Sequence, residues 1–194
     1  MNAPTHPPDN APLRISGFAG SLRKASLNKA LLRAARELAP AGMELEILDL
    51  ADVPLYNADV EAIAVPEPVE RLRAAVRASD GLLLATPEYN FGVPAVMKNA
   101  LDWLSRPPRP SALDGLPAAI MGASPGGFGT VRGQTQLRQT LLGTNTLAML
   151  QPEMFVSRAN EKFAGGGRLT DESTRENLSK FLAAFAAWIR RVRG

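Results

Sequence analysis

Three short stretches of the sequence collect groups that can bind an anion or a flat ring. The first is GSLRKASLN, residues 20–28, which lies between a predicted strand and a predicted helix. N–H groups at a helix N-terminus attract phosphate, and the guanidinium of Arg23 can pair with a dianion. The stretch therefore predicts a phosphate site, with a simple helix cap at Ser26 and a solvated Arg23 as the alternative. Its spacing differs from a Walker A loop, which argues against ATP hydrolysis.

The other two stretches are TPEYNFG, residues 86–92, and SPGGFG, residues 124–129. Tyr89 and Phe91 can form an aromatic wall for a planar ligand. Alternatively, Tyr89 covers part of the core in an ordinary turn. The glycines of the third stretch let a ligand approach the backbone closely. Together, the three stretches predict a site for a mononucleotide with a flat ring.

The amino-acid composition limits the chemistry that this site can perform. The chain has no cysteine, and its one histidine, His6, lies in a Pro-rich opening segment. We predict that residues 1–12 form a disordered tail, because such a segment buries little apolar surface. Thiolate nucleophiles and cysteine metal sites are excluded, and we expect no metal site. Carboxylates, hydroxyls or a bound cofactor must then supply the chemistry.

The charge and hydropathy of the chain argue against nucleic-acid and membrane partners. The net charge is +3 and the basic residues are scattered along the chain, which argues against a nucleic-acid partner. No apolar run approaches the ~20 residues that a membrane span needs. No signal-peptide h-region is found either. We therefore predict a soluble, cytoplasmic protein with no membrane partner.

The periodicity of apolar residues predicts one domain over residues 13–194, in which five strands alternate with five helices. The predicted strands are residues 13–18, 43–48, 81–87, 117–124 and 147–156. The predicted helices are residues 27–38, two that begin near Pro66 and Pro94, one through Leu137 and Leu141, and a last one capped by Thr170. Residues 52–61 are predicted as a long loop, and residues 162–170 as a flexible loop or irregular turn. An apolar stripe that includes Trp188 is predicted to turn the last helix toward the core.

Such alternation implies a parallel sheet that is covered by helices on both faces. The chain length and the lack of a GxGxxG motif favour the strand order 2-1-3-4-5. In this order the three stretches follow strands one, three and four. They therefore meet at the carboxyl edge of the sheet, where ligands of such folds bind.

The motifs GSLRKASLN, PLYNADVE, TPEYNFGVPAVMKNALDWLSR and LRQTL…QPEMFV resemble the NADPH-dependent FMN reductase family, close to its quinone and chromate reductase branch. The resemblance runs from about Leu13 into the final helix. It implies a flavodoxin-like three-layer α/β/α sandwich with a five-stranded parallel sheet and non-covalent FMN. It also implies that the FMN phosphate is held by Ser21, Arg23, Ser26, Leu27 and Asn28. The residues implied at the isoalloxazine are Pro87, Glu88, Tyr89, Asn90 and Phe91, with Ser124, Gly126 and Gly127 on its pyrimidine side.

By the same resemblance, we expect ping-pong hydride transfer from NADPH or NADH through FMN to a quinone, flavin, azo or metal-oxyanion acceptor. No side chain is expected to act as an essential acid or base, and the amides of Gly126 and Gly127 are expected to stabilise charge on the reduced flavin. A non-enzymatic FMN electron carrier and a sensor without flavin are the alternative functions.

The resemblance further implies a homodimer, with a tetramer possible and the helix after Pro94 at the subunit contact. Related enzymes join subunits through an Arg, an aromatic residue and a Glu. This chain has Arg132 and Glu153 but has Thr135 in place of the aromatic residue, which makes a tetramer of that kind doubtful.

Overall fold

The computed structural model describes residues 12–193. Of the predicted tail, residues 1–11 lie outside this range, and His6 lies outside it with them. The strands are β1 Leu13–Ala19, β2 Met43–Leu48, β3 Gly81–Ala85, β4 Pro117–Ala123, β5 Leu147–Ala148, β6 Met154–Val156, β7 Phe163–Ala164 and β8 Arg168–Leu169. The helices are α1 Leu27–Glu37, α2 Ala58–Ile63, α3 Glu67–Arg77, α4 Ala95–Leu104, α5 Val131–Gly143 and α6 Glu172–Arg193.

The main sheet is parallel and has the order β2-β1-β3-β4-β5, with β6 also paired to β4. The predicted flavodoxin-like strand order is therefore confirmed. The prediction of one continuous strand over residues 147–156 is wrong, because β5 pairs with the start of β4 and β6 pairs with its end. Pro152 lies between the two short strands and has no N–H group to donate to a sheet ladder.

Helices cover both faces of this sheet, as the alternation of elements predicts. On one face the buried side chains of α1 and α6 pack together, and the other face is covered by α3, α4 and α5. Every residue of β3 and β4 is buried, which is why these strands read as uninterrupted apolar runs. Trp188 is half-buried on the α6 side and donates its indole N–H to the Leu147 carbonyl at 2.9 Å. No helix within residues 12–193 has the length and apolar character to cross a membrane.

Two predicted loops contain regular structure, and one predicted cap is wrong. The loop after β2 contains α2, whose first turn is capped by the Asn57 side chain at 2.9 Å from the Asp59 N–H. Residues 163–169 form the antiparallel β7–β8 hairpin. Helix α6 is capped by Asp171, whose carboxylate accepts the Thr174 N–H at 2.9 Å. Thr170 instead donates its hydroxyl to the Lys162 carbonyl.

A partly buried carboxylate, Glu61, connects the α2 segment to the rest of the molecule. Glu61 accepts hydrogen bonds from Arg73 at 2.9 Å, from Arg106 at 3.2 Å and from the Tyr56 hydroxyl at 3.1 Å. Burial raises the pKa of the Glu61 carboxyl, but these three hydrogen bonds outweigh burial and hold its pKa below the ordinary value. Glu61 is therefore charged in the folded protein at neutral pH.

Candidate functional site

The three predicted stretches lie side by side at the carboxyl edge of the sheet, after the adjacent strands β1, β3 and β4. The first and second stretches touch at Gly20, whose N–H donates to the Ala85 carbonyl at 3.0 Å. A Cβ at Gly20 would lie 2.9 Å from Pro94 Cγ and from Met97 Cβ. Only glycine therefore fits where the first stretch crosses the base of the second.

The first stretch carries hydroxyl groups that donate to no acceptor within residues 12–193. Ser26 is the N-cap of α1, and its Oγ accepts the Lys29 N–H at 3.3 Å, which leaves its hydroxyl proton available to an anion. Ser21 is only 4% exposed, and no group within residues 12–193 forms a hydrogen bond with its hydroxyl. Arg23 is exposed beside them. This donor set fits a phosphate ester.

The Asn28 side chain has a structural role that the sequence does not reveal. Its side chain is buried, donates to the Ala123 carbonyl and accepts the Ala123 N–H, both at 2.9 Å. These bonds engage the carboxamide oxygen and one of its two N–H groups, so the side chain acts as a tether, and Asn28 also stays a predicted phosphate residue. Asn28 joins the start of α1 to the end of β4, and so holds the first stretch against the third.

The second stretch ends in a tight turn that exposes two aromatic rings. Tyr89 and Gly92 exchange backbone hydrogen bonds of 3.2 and 3.0 Å. Asn90 and Phe91 between them have φ angles of 51° and 64°, as a type I′ turn requires. A positive φ angle is unfavourable for an aromatic residue such as Phe91. The turn leaves both aromatic side chains accessible, with Phe91 71% exposed and Tyr89 49% exposed. The structure therefore excludes the alternative in which Tyr89 covers the core. Pro87 is buried beneath this turn, next to Gly20.

The Glu88 carboxylate caps helix α5. Its Oε2 accepts the N–H groups of Arg132 at 2.8 Å and Gly133 at 3.0 Å. Helix α5 has no side-chain cap of its own and no acidic residue in its first turn, so Glu88 supplies the negative charge that this helix end favours. This role was missed at the sequence level, although the absence of an acid at the start of α5 was a signal that another element supplies one.

Arg132 lies between two exposed aromatic rings at the mouth of the site. Its guanidinium carbon is 4.3 Å from the ring centroid of Phe91 and 4.9 Å from that of Phe128, and its Nη1 is 3.5 Å from Glu88. The resemblance associates Arg132 with Glu153 at a subunit contact. In this chain Glu153 is 3.7 Å from Arg138 instead, so both groups have partners within the chain.

The third stretch offers one backbone amide, where two were expected. The Gly126 N–H donates to Ser124 Oγ at 3.1 Å and is therefore engaged. Within residues 12–193, the Gly127 N–H has no acceptor, and a Cβ at Gly127 would have no neighbour within 4 Å. Hydrogen bonds from Arg158 to the Gly126 carbonyl and from Ala159 to the Ser124 carbonyl, both 3.0 Å, hold the loop in place.

This architecture agrees with the comparison to known proteins. The model of one family, described as NADPH-dependent FMN reductase, matches residues 13–161. The chain belongs to the NADPH-dependent FMN reductase family. The predicted FMN-dependent oxidoreductase is thereby confirmed at the level of the family, with FMN as cofactor and NAD(P)H as co-substrate.

Individual members resemble the chain over nearly its whole length. An NAD(P)H-dependent FMN reductase from Pseudomonas aeruginosa is 47% identical over 182 residues, which is 94% of this chain and 98% of that protein. A quinone reductase from Pseudomonas putida is 43% identical over 176 residues, 91% of this chain and 94% of that protein. Among solved structures, the flavoenzyme NAD(P)H:(acceptor) oxidoreductase of Paracoccus denitrificans has a TM-score of 0.85 at 40% identity, and the match covers 92% of this chain and 98% of that one.

For an FMN reductase, the donors of the first stretch fit the phosphate, and the exposed turn with the Gly127 amide fits the ring. The predicted phosphate residues remain Ser21, Arg23, Ser26, Leu27 and Asn28, with Leu27 contributing as the first residue of α1. The predicted ring residues remain Pro87, Glu88, Tyr89, Asn90, Phe91, Ser124, Gly126 and Gly127. Three of these residues also shape the site: the Glu88 carboxylate caps α5, and the Gly126 N–H donates to Ser124 Oγ.

Proposed function

We propose that the protein oxidises NADPH or NADH and reduces a quinone, using FMN bound at the carboxyl edge of the sheet. The observation that carries this proposal is the pairing of two unlike surfaces at one edge. Ser21 is nearly buried and its hydroxyl has no partner within residues 12–193, whereas the Tyr89 and Phe91 rings are half or more exposed. A mononucleotide with a flat ring needs both surfaces. Bound FMN would supply the hydride-accepting centre.

The first stretch would hold the phosphate end of the cofactor. Three kinds of donor can act on one dianion here: the Ser21 and Ser26 hydroxyls, the N–H groups of the α1 N-terminus and the Arg23 guanidinium. Phosphate binding would satisfy the Ser21 hydroxyl, which otherwise lies in a nearly buried position without a protein partner. Among residues 12–193, Gln134 Oε1 is the one fully buried side-chain oxygen or nitrogen without a partner, so water can reach the Ser21 hydroxyl until a phosphate replaces it.

The second and third stretches would hold the ring end. The Gly127 N–H is aligned with no acceptor in the described chain, so it is the amide we assign to the electron-rich edge of the ring. Tyr89 and Phe91 border an open mouth, where the nicotinamide and the quinone can bind in turn. A shared mouth supports a ping-pong mechanism. Glu88 is the only carboxylate in the three stretches, and its engagement with α5 leaves no carboxylate there free to serve as an acid or base.

Two relatives carry names that bear on the acceptor. The quinone reductase, 43% identical to this chain, favours a quinone over an azo dye or a metal oxyanion, and the FMN reductase, 47% identical, keeps a free flavin as the second candidate acceptor. A homodimer also remains our prediction, to be tested by sedimentation of the purified protein, and a cytoplasmic location remains one to be tested by cell fractionation.

The test is an absorbance spectrum of the purified protein after addition of FMN, followed by oxidation of NADPH and NADH with a panel of quinones. We expect a bound flavin spectrum, turnover with quinones, and parallel lines in double-reciprocal plots. Flavin binding without turnover would instead establish an electron carrier. A protein that shows no flavin absorbance after unbound FMN has been removed would contradict the proposal altogether.

A further inference from the structure

A second groove lies beside the predicted phosphate site, between the start of α1 and the β7–β8 hairpin. Its volume is about 420 Å³, and its lining includes Lys24, Ser26, Arg33, Asn160, Phe163 and Gly167. Within the described part of the chain, no aspartate or glutamate lines this groove. It therefore combines two cations, an amide and one aromatic ring without an opposing negative charge.

The position of Arg33 is set by shape. Gly167 has a φ of +78°, and a Cβ there would lie 2.7 Å from Arg33 Nη2. Glycine at this turn thus leaves the space that the guanidinium occupies. Among residues 12–193, neither Arg33 nor Lys24 has a carboxylate oxygen within 4.0 Å. A half-buried guanidinium without a counter-charge is well suited to bind an anion.

The groove is continuous with the predicted FMN site. Ser26 and Leu27 line the groove and also belong to the stretch that is predicted to hold the FMN phosphate. The first turn of α1 carries no acidic residue, so the charge along this path is positive. If the nicotinamide end of a dinucleotide binds at the mouth bordered by Tyr89 and Phe91, its phosphorylated adenosine end can contact Lys24 and Arg33.

We propose that this groove binds the adenosine end of NADPH, with the 2′-phosphate at Lys24 and Arg33 and the adenine against Phe163. The inference rests on the proposed function, and it adds a preference for NADPH over NADH. The chemistry recognised is a phosphomonoester attached to a purine nucleoside, which a free nucleotide can also supply. The second experiment below separates these sources.

The kinetic experiment compares Arg33→Gln and Lys24→Gln with a matched control, Arg36→Gln. Arg36 is on the same helix and loses the same charge, but it does not line the groove. Losing one charge-assisted hydrogen bond is expected to raise the KM for NADPH about tenfold in Arg33→Gln. The KM for NADH should change less than twofold, and Arg36→Gln should affect both nucleotides little. The inference would be overturned if Arg33→Gln changed the KM for NADPH and the KM for NADH equally. It would also be overturned if Arg36→Gln raised the KM for NADPH as much as Arg33→Gln does.

The binding experiment does not depend on turnover. Calorimetry measures the affinity of the purified protein for 2′,5′-ADP and for 5′-AMP, first with the wild type and then with Arg33→Gln. We expect 2′,5′-ADP to bind the wild type about tenfold more tightly than 5′-AMP and to lose that advantage in Arg33→Gln. No difference between the two ligands would refute the groove as a 2′-phosphate site. Tight 2′,5′-ADP binding that NADPH does not displace would assign the groove to a free nucleotide and overturn its role in dinucleotide binding. If 2′,5′-ADP binds as expected but no flavin does, the proposed function fails and the groove assignment stands.

Discussion

Glu88→Ala is the change that best separates the scaffold of the site from its ligand contacts. The Glu88 carboxylate accepts two N–H groups at the start of α5 and pairs with Arg132, and its side chain is only 11% exposed. Alanine leaves those N–H groups without a protein acceptor. It also frees the Arg132 guanidinium from the carboxylate that holds it between Phe91 and Phe128.

The expected loss of stability in Glu88→Ala follows from the capping hydrogen bonds that it removes. Loss of a helix N-cap side chain costs about 0.5–2 kcal/mol, and a hydrogen bond to a charged group contributes about 1.5–3 kcal/mol. Water can reach part of this site and solvate the freed N–H groups, so we expect the free energy of unfolding to fall by about 2 kcal/mol. Glu88→Gln keeps an acceptor oxygen but loses the charge, and it should cost about half as much.

Urea unfolding of the FMN-free protein measures these differences without a contribution from bound cofactor. Glu153→Ala is the matched control, because Glu153 is 40% exposed and its nearest cation, Arg138, is 3.7 Å away. It should change stability by less than about 0.5 kcal/mol. If Glu88→Ala were as stable as Glu153→Ala, or if Glu88→Gln were as unstable as Glu88→Ala, the capping argument would be refuted.

Three further predictions concern other named contacts. Arg23→Ala should raise the FMN dissociation constant about tenfold or more in a fluorescence titration, because it removes a charge-assisted contact to the phosphate. The Arg36→Ala control should leave it unchanged, and equal effects would contradict the assignment. Asn28→Ala should lower the free energy of unfolding by about 2 kcal/mol, because the Ala123 N–H and carbonyl lose their partner in a buried position. An unchanged urea midpoint would contradict the tether. The pKa of Glu61 is lower in the folded protein than its ordinary value of 4.5, so its stabilising contribution is present above that value and is lost as pH falls through the folded pKa. Acid unfolding should therefore be less steep in Glu61→Gln, and identical acid profiles would rule out this contribution.

The sequence predicts the sheet well because its central strands are buried on both faces. The runs Gly81–Ala85 and Pro117–Ala123 contain no charged residue, and each follows a helix that can cover the sheet. The placement of the three stretches at one edge follows directly from that topology. Short pieces such as β5 and β6 were joined into one strand, because pairing to opposite ends of β4 leaves no mark on local periodicity.

The side-chain roles within the site were harder to predict, because they depend on partners far away in sequence. Asn28 bonds to Ala123, and Glu88 bonds to the start of α5. A motif with an amide or a carboxylate near a ligand looks the same whether that group binds the ligand or holds a neighbouring loop. Only the spatial positions of the partners distinguish the two roles.

The Asn28 tether and the Glu88 cap have a consequence for how the cofactor comes and goes. Because both contacts are made by the protein itself, the mouth keeps its shape when FMN leaves. The conformational entropy of ordering the three loops is lost during folding, so a returning flavin meets a rigid receptor and binds with less entropic cost. FMN should then dissociate and rebind without a loop rearrangement, with hydrogen-exchange protection of the Ala123 and Arg132 N–H groups retained in the FMN-free protein.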